Sequence, residues 1–147
     1  MKEHTHLGVY GLLMKDEKIL LVNKSGGPYD GKLDLPGGSF RFGETPDDAL
    51  KREFLEEVGI NVLDYSLYDF DSVKARWCSE HDDFVVHHIG SFYIINKYDG
   101  QIKEKIELNS NNDDSLGANF YNIKDLTKDN LSLIAINEFK KLGFNIN

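Results

Sequence analysis

The chain has a single cysteine, Cys78, among its 147 residues, with one tryptophan and three prolines. A lone cysteine cannot form an intrachain disulfide, which excludes the class of small secreted domains held together by disulfides. We therefore expect a reducing, cytoplasmic environment. We also expect Cys78 to be a buried or inert thiol rather than a nucleophile.

Long apolar runs are missing as well. The first apolar stretch, Leu7 to Met14, is ended by the charged residues Lys15 to Lys18, and it is far shorter than the roughly 20 residues that span a bilayer. No basic segment of the signal-peptide type precedes it. We expect no membrane segment and a single domain over residues 1–147, which is long enough to bury a core.

Basic residues are scarce, with 17 Lys and Arg against 25 Asp and Glu, so the net charge is -8. Binding to a nucleic-acid polymer depends on clustered Lys and Arg, and this composition argues against it. Six acids and two bases lie between Glu44 and Glu57, so half of the net charge comes from this segment. An anionic substrate could approach such a surface only if bound cations offset the charge.

This acidic segment has strong helix signals. Thr45 offers a hydroxyl at the N-cap, Pro46 suits the first helical position, and Asp47 and Asp48 place negative charge at the positive end of the helix dipole. Gly59 is a suitable C-terminal stop. The sequence therefore predicts a helix between Thr45 and Gly59.

The spacing within this helix separates apolar from acidic residues. At about 100° per residue, Leu50, Phe54 and Val58 form one stripe. Glu53, Glu56 and Glu57 fall in an arc beside it, and Arg52 lies one turn before Glu56, where it could orient that carboxylate. Three close carboxylates repel one another, and a divalent cation removes the repulsion. All-oxygen ligation suits Mg²⁺ or Mn²⁺ better than zinc.

An isolated E-x-x-E-E pattern usually marks a solvated helix face. Here Leu35-Pro36-Gly37-Gly38 precedes the helix and Glu44 lies in the loop between them. A solvated helix needs neither a sharp glycine turn nor a further carboxylate. The combination therefore favours a metal site over a solvated surface.

The segment from Gly38 to Ile60 resembles the Nudix hydrolase family. It matches the pattern G-x5-E-x7-R-E-U-x-E-E-x-G-U, where U is apolar, at every fixed position, with an aromatic residue, Phe54, at a position that is more often aliphatic. The resemblance implies an α/β/α sandwich with a mixed β-sheet. It also implies a Mg²⁺ or Mn²⁺ site formed by Glu53, Glu56, Glu57 and a carbonyl near Gly37 or Gly38.

The resemblance further implies catalytic roles for Glu53, Glu56, Arg52 and Glu44. Glu44 has two readings of equal weight, a role at the metal or a structural ion pair with Arg52. The general base is either Glu53 or Glu56 in the motif or, less favoured, a member of the later turn formed by Glu80, Asp82 and Asp83. The number of metal ions stays open.

The rest of the chain reads as alternating strands and loops that end in a helix. Predicted strands are Leu7 to Met14, Ile19 to Asn23, Asn61 to Trp77, Phe84 to Asn96 and Phe120-Tyr121, with a hairpin arm at Tyr98 to Ser110 and a loop at Lys24 to Gly31. A closing amphipathic helix is predicted over Asn130 to Leu142, ended by Gly143. Both faces of the strand Phe84 to Asn96 are apolar, so we expect it to be covered on both sides.

Three other motifs fail on inspection. Gly26 to Lys32 fits G-x4-G-K, but Leu33 stands where a P-loop needs a hydroxyl. Asn109 to Asp114 lacks the glycine and the closing glutamate of a calcium loop. Cys78, His81, His87 and His88 suggest zinc, but adjacent strand residues point to opposite faces. We expect one of His87 and His88 to face the substrate cavity and the other to be a satisfied core residue.

We expect a hydrolase that cleaves the pyrophosphate linkage of a nucleoside diphosphate joined to another group, X, by attack of water at phosphorus. A nucleoside triphosphate is the first candidate, while ADP-ribose, nucleotide sugars and dinucleoside polyphosphates remain alternatives. A non-catalytic nucleotide-sensing module is the weaker reading. Candidates for stacking on a base are Trp77, Tyr93, Phe120 and Tyr121, although such aromatics are more often core. A homodimer is left open.

Overall fold

The computed structural model describes residues 1–103 and 115–147, and within them the chain forms eight strands and two α-helices. The strands are β1 (Lys2–Leu12), β2 (Met14–Lys15), β3 (Lys18–Lys24), β4 (Leu33–Asp34), β5 (Gly37–Ser39), β6 (Ile60–Cys78), β7 (Asp83–Gly100) and β8 (Ser115–Asn122). The helices are α1 (Pro46–Glu57) and α2 (Leu133–Lys141). Single 3-10 turns occur at Gly27–Tyr29 and Ile123–Asp125.

The strands form two sheets. In the larger one the order is β5-β1-β7-β6, with β1 parallel to β7 and the other pairs antiparallel, so this sheet is mixed. The smaller one has the order β2-β3-β4, and β8 also pairs antiparallel with β3. The long β6 and β7 pair over almost their whole length.

The alternation of side chains along the strands divides the core in two. Val9 on β1 joins the cluster around Leu50 and Phe54 of α1. Tyr10, the next residue, joins the cluster around Ala135 and Phe139 of α2. The two helices therefore pack on opposite sides of the strands, which confirms the α/β/α arrangement.

Helix α1 confirms the local signals. The Thr45 side chain accepts a hydrogen bond from the Asp48 backbone N–H at 3.2 Å. Gly59 follows the helix with φ of 87°, a conformation that glycine adopts without steric cost. Leu50, Phe54 and Val58 are fully buried, so the apolar stripe faces the core as predicted.

Several predicted boundaries were wrong by a few residues. Helix α2 begins at Leu133 rather than Asn130, because the Ser132 side chain caps it by accepting from the Ala135 N–H at 3.3 Å. Tyr98 belongs to β7 rather than to a separate hairpin arm. The remainder of that arm and the segment Asn109 to Asp114 lie largely or wholly outside the described residues. Neither of the helices found in the described ranges is long and apolar enough to cross a membrane.

Candidate active site

The segment 37–45, called the glycine loop below, runs from β5 to the start of α1. It brings its backbone close to β1 and to a carboxylate of α1. Gly37 pairs with Tyr10 of β1, and a Cβ at Gly37 would lie 2.0 Å from the Val9 carbonyl oxygen. A Cβ at Gly38 would lie 2.7 Å from Oε2 of Glu53. Any side chain at these positions would therefore push the loop away from β1 or from Glu53, which explains the glycine pair.

Arg52 is the central cation of the site. Its guanidinium donates to both oxygens of Glu44, at 2.6 Å and 2.8 Å, to Glu53 at 2.9 Å and to Glu56 at 3.2 Å. It also donates to the Ser39 carbonyl at 2.8 Å. The planar fork of arginine can bind several oxygens at once in this way. One side chain thus ties the loop to three carboxylates.

Glu44 is the closest partner of Arg52. The hydrogen bonds from Arg52 lower the pKa of Glu44 to about 2, and the same contact raises the pKa of Arg52. Glu44 also accepts from the Arg41 N–H at 2.6 Å. The structure thus places Glu44 in an ion pair that fixes the loop, while a role at a metal stays a prediction.

Glu57 is almost fully buried and contacts both the loop and a lysine. Its Oε1 accepts from the Gly37 N–H at 2.9 Å, and Lys24 Nζ lies 3.4 Å from its Oε2. Sequence reasoning missed Lys24. The signal was weak, because Lys24 stands at the end of β3, and only the tertiary fold brings that strand beside α1.

The other two motif glutamates differ in burial. Burial raises the pKa of Glu53, although the adjacent Arg52 acts in the opposite direction. Glu56 is about half exposed and accepts from Arg41 at 3.0 Å. In the part of the chain that the structure describes, no three acidic, histidine or cysteine side chains lie close enough to share one ion. The carboxylates are directed towards Arg52, Arg41 and Lys24 rather than towards one point.

The donor set nonetheless fits a hard divalent cation. Carboxylates of α1 and the backbone of the glycine loop supply oxygen ligands, and the missing Cβ at Gly38 leaves backbone and Glu53 in close approach. A buried carboxylate such as Glu57 also favours a cation beside it. The assignment of Glu53, Glu56, Glu57 and Gly38 as metal ligands stays a prediction.

A buried polar network lies on the α2 side of the sheet. The ring of His88 hydrogen-bonds to the Tyr10 hydroxyl at 2.5 Å and to the Tyr29 hydroxyl at 2.8 Å. Burial lowers the pKa of His88 to about 3, so the imidazole is neutral and one nitrogen donates while the other accepts. His88 is the satisfied core histidine, whereas His87 points to the opposite face and is partly exposed. No signal in the sequence could have identified its tyrosine partners.

The alternative base candidates lie in the tight turn between β6 and β7. The Ser79 N–H donates to the Asp82 carbonyl at 2.8 Å, and Asp82 pairs with Lys2 at 3.1 Å. Lys2 lies at the turn end of β1, whereas Val9 of the same strand pairs with Gly38. Seven residues of strand separate the turn from the glycine loop, or about 20 Å. This distance favours a base in the motif.

Of the aromatic residues considered for base stacking, three pack into or against the core. Tyr93 is buried, Phe120 packs on the α1 side and Tyr121 on the α2 side. Trp77 is partly exposed and stacks on Phe84 with ring centroids 5.1 Å apart. The neighbouring Cys78 is exposed rather than buried, and the adjacent Asp83 raises the pKa of its thiol, which makes it less reactive.

Comparison with known proteins agrees with this geometry. The model of the NUDIX domain matches residues 3–139. The chain belongs to the Nudix family. Among curated relatives, this Nudix chain is 30% identical over 125 residues to an ADP-ribose pyrophosphatase of Methanocaldococcus jannaschii, covering 85% of this chain and 66% of the relative. It is 38% identical over 69 residues to an 8-oxo-dGTP diphosphatase of Haemophilus influenzae, covering 47% and 45%.

The match thus spans only about half to two thirds of these two relatives. Solved structures with the same fold include a MutT NUDIX hydrolase from Burkholderia pseudomallei, with a TM-score of 0.74 at 19% identity and coverage of 95% of this chain and 98% of that one. A NUDIX hydrolase from Nitrosomonas europaea has a TM-score of 0.64 at 19% identity, covering 97% and 92%. These structural matches support the fold.

Proposed function

We propose that this Nudix protein hydrolyses the pyrophosphate linkage of a nucleoside diphosphate joined to a group X, with Mg²⁺ or Mn²⁺ as cofactor. The observation that carries the proposal is the Arg52 cluster. A single guanidinium holds Glu44, Glu53 and Glu56 beside the glycine loop, and Glu57 is fixed on the Gly37 N–H. A merely solvated helix would not direct its carboxylates into such a network.

In this proposal Glu53, Glu56 and Glu57 would hold the cation together with the carbonyl of Gly38. A bound divalent cation would neutralise phosphate charge and help to orient the attacking water. Glu44 holds Arg52, and Arg52 in turn orients Glu53 and Glu56, so both act as positioning residues. Glu53 is the favoured proton acceptor, because it lies on α1 beside Gly38, whereas the alternative acids lie in the turn about 20 Å away along β1.

Lys24 adds a positive charge at the same place. Its side chain is only 12% exposed, and its Nζ lies 3.4 Å from Oε2 of Glu57. A phosphate group that approaches the three glutamates would meet this lysine, which would offset part of the repulsion between substrate and carboxylates. We assign Lys24 to substrate binding.

The first candidate substrate is a nucleoside triphosphate, because the Haemophilus influenzae relative, 38% identical over 69 residues, is an 8-oxo-dGTP diphosphatase. ADP-ribose is the second candidate, because the match to the archaeal ADP-ribose pyrophosphatase extends over 85% of this chain and so includes residues far outside the motif. Specificity must come from such residues, since the motif contacts the pyrophosphate in either case. The lone cysteine supports a reducing, cytoplasmic location.

The test is a panel of nucleoside triphosphates, ADP-ribose, nucleotide sugars and dinucleoside polyphosphates, incubated with the protein and Mg²⁺. Products are resolved by anion-exchange chromatography. We expect at least one compound to be cleaved at the pyrophosphate, and kcat to fall by about 100-fold or more in Glu53→Gln and in Glu57→Gln. Glu3→Gln, an exposed residue on β1, is the matched control and should retain full activity. Turnover by both motif variants at the wild-type rate would disprove the assignment.

A further inference from the structure

Within the described residues, β6 lies at one edge of the larger sheet. Among the described strands it pairs with β7 alone. Its pairing with β7 is irregular between Val62 and Asp69, where the register shifts, and regular from Asp69 to Cys78. Bulges protect an edge from pairing with another chain, because they disrupt the row of backbone donors and acceptors. The regular half of β6 has no bulge to protect it.

The same strand is unusually apolar on its exposed surface. Four of the nine large hydrophobic side chains exposed in the described residues belong to β6, namely Leu63 at 49%, Leu67 at 62%, Tyr68 at 39% and Phe70 at 66%. A long open edge with exposed apolar side chains either binds a partner or promotes aggregation. Phe70 is the most exposed of the four and lies within the regular half.

The charges of β6 restrict how two copies could pair through this edge. A two-fold axis requires antiparallel pairing in which one residue lies opposite its own copy. An axis at Asp71 or Lys74 would place like charges opposite each other, and an axis at Ala75 would oppose Lys74 and Arg76. An axis at Phe70 would run into the bulge at Leu67.

An axis at Asp69 or Arg76 would also oppose like charges, and one at Trp77 or Cys78 would use at most three regular residues. Two axes remain, at Ser72 and at Val73. The axis at Val73 uses nine regular residues, 69–77, whereas the axis at Ser72 uses only seven. With the axis at Val73, Phe70 lies opposite Arg76 of the partner subunit, and both side chains are exposed and on the same face of the sheet. Arginine over an aromatic ring is attractive. Lys74 then lies opposite the partner's Ser72, so the lysine that would discourage other pairings meets a neutral residue.

We propose that two copies of this chain pair through the segment 69–77 of β6, antiparallel and about a two-fold axis at Val73, to form one continuous eight-stranded sheet. In this pairing no like charges lie opposite each other, and each Phe70 meets Arg76 of the partner subunit, so the strand fits a second copy of itself. Phe70 is covered by the pairing, and so is the row of unpaired backbone groups on the edge. The candidate active site of each subunit is formed by β5 and α1, so pairing through β6 leaves it open.

The first test is the oligomeric state of the full chain, measured by light scattering after gel filtration from micromolar to near-millimolar concentration. We expect a dimer for the wild type and a monomer for Phe70→Asp, with unchanged turnover of the best substrate and an unchanged circular dichroism spectrum. Leu133→Asp is the matched control, since Leu133 is 42% exposed but lies on α2, and it should remain a dimer. A monomeric wild type or a dimeric Phe70→Asp overturns the proposal.

The second test determines which residues of the two β6 strands lie opposite each other. It measures disulfide formation between subunits under mild oxidation, in a Cys78→Ser background. Residues directly opposite in an antiparallel pair have Cα atoms about 4.5–5.5 Å apart, within the range of a disulfide. Val73→Cys should therefore cross-link fully between subunits, while Ser72→Cys and Lys74→Cys should cross-link poorly. Faster cross-linking of Ser72→Cys would overturn the axis at Val73, and equal cross-linking at all three positions would overturn an ordered strand pair.

Discussion

At the residue scale, the sequence predicted the contacts of Arg52 with Glu56 and, as one of two readings, with Glu44, but it did not predict the other partners of the candidate site. Helix geometry placed Arg52 one turn before Glu56, and the structure has that contact at 3.2 Å. The shorter contact to Glu44, at 2.6 Å, depends on how the loop folds back on the helix. Lys24 was not predicted as a site residue, because it lies 33 positions before Glu57 in the sequence and meets it only in the folded chain. Local spacing carries no information on such contacts.

The position of the general base yields a prediction at this scale. Glu80→Gln, Asp82→Asn and Asp83→Asn should keep kcat and the pH profile within about twofold, because their turn lies about 20 Å along β1 from the glycine loop. In Glu53→Gln the rising limb of the pH profile should disappear. Steady-state kinetics across the pH range, on the best substrate and at saturating Mg²⁺, measures both. Loss of turnover in Asp83→Asn with Mg²⁺ affinity unchanged would move the base to the turn.

At the scale of elements, the accuracy of prediction depended on where the signal lies. Helix α1 was predicted well because its cap, proline, apolar stripe and terminal glycine are all local. Strand β1 was predicted to begin at Leu7 but begins at Lys2, since its polar first residues are held by backbone pairing with residues 84–88 of β7. Backbone hydrogen bonds between strands do not require alternating apolar and polar side chains, so these first residues show no such alternation in the sequence. Helix α2 was predicted to begin three residues too early, because Leu131 fits the apolar spacing of the helix although it precedes the Ser132 cap.

Helix α2 carries a buried carboxylate that leads to a stability prediction. Glu138 is fully buried, and burial raises its pKa to about 8, with the neighbouring Asp69 acting in the same direction. Its folded pKa lies above the unfolded one, so the folded state binds the proton more tightly. The stabilisation is complete below the unfolded pKa of about 4.5 and is lost as pH rises through about 8.

In Glu138→Gln this loss should be absent, because the amide stays neutral at every pH. We expect the melting temperature of the wild type to fall relative to the variant by several degrees between pH 5 and pH 9, measured by circular dichroism. Glu17→Gln, at an exposed glutamate, removes one negative charge in the same way and controls for the change in net charge. Parallel curves for wild type and Glu138→Gln over this range would contradict a raised pKa.

At the scale of the whole molecule, the sequence predicted one mixed sheet between two helices, and the structure divides the strands into two sheets. The layer order follows from apolar faces that alternate with period 2 or 3.6, which the sequence contains. The strand order depends on which distant segments pair, such as β1 with β7 across more than 80 residues. The predicted metal ligands lie on α1 and on β5, so they would come together only in the folded chain. Cation binding should therefore be coupled to global stability.

The last prediction concerns this coupling. A cation that binds the folded state alone stabilises it by about 2.7 kcal/mol at a concentration a hundredfold above its dissociation constant. For a chain of this size, such a gain raises the melting temperature by roughly 5 to 10 °C. We expect this rise with MgCl₂ and almost none with NaCl at equal ionic strength. In Glu56→Gln/Glu57→Gln the rise should largely vanish, and the metal-free form should melt slightly below the wild type, because Lys24 and Arg41 lose their partners. A full Mg²⁺-dependent rise in the double variant would place the cation elsewhere and refute the role of α1.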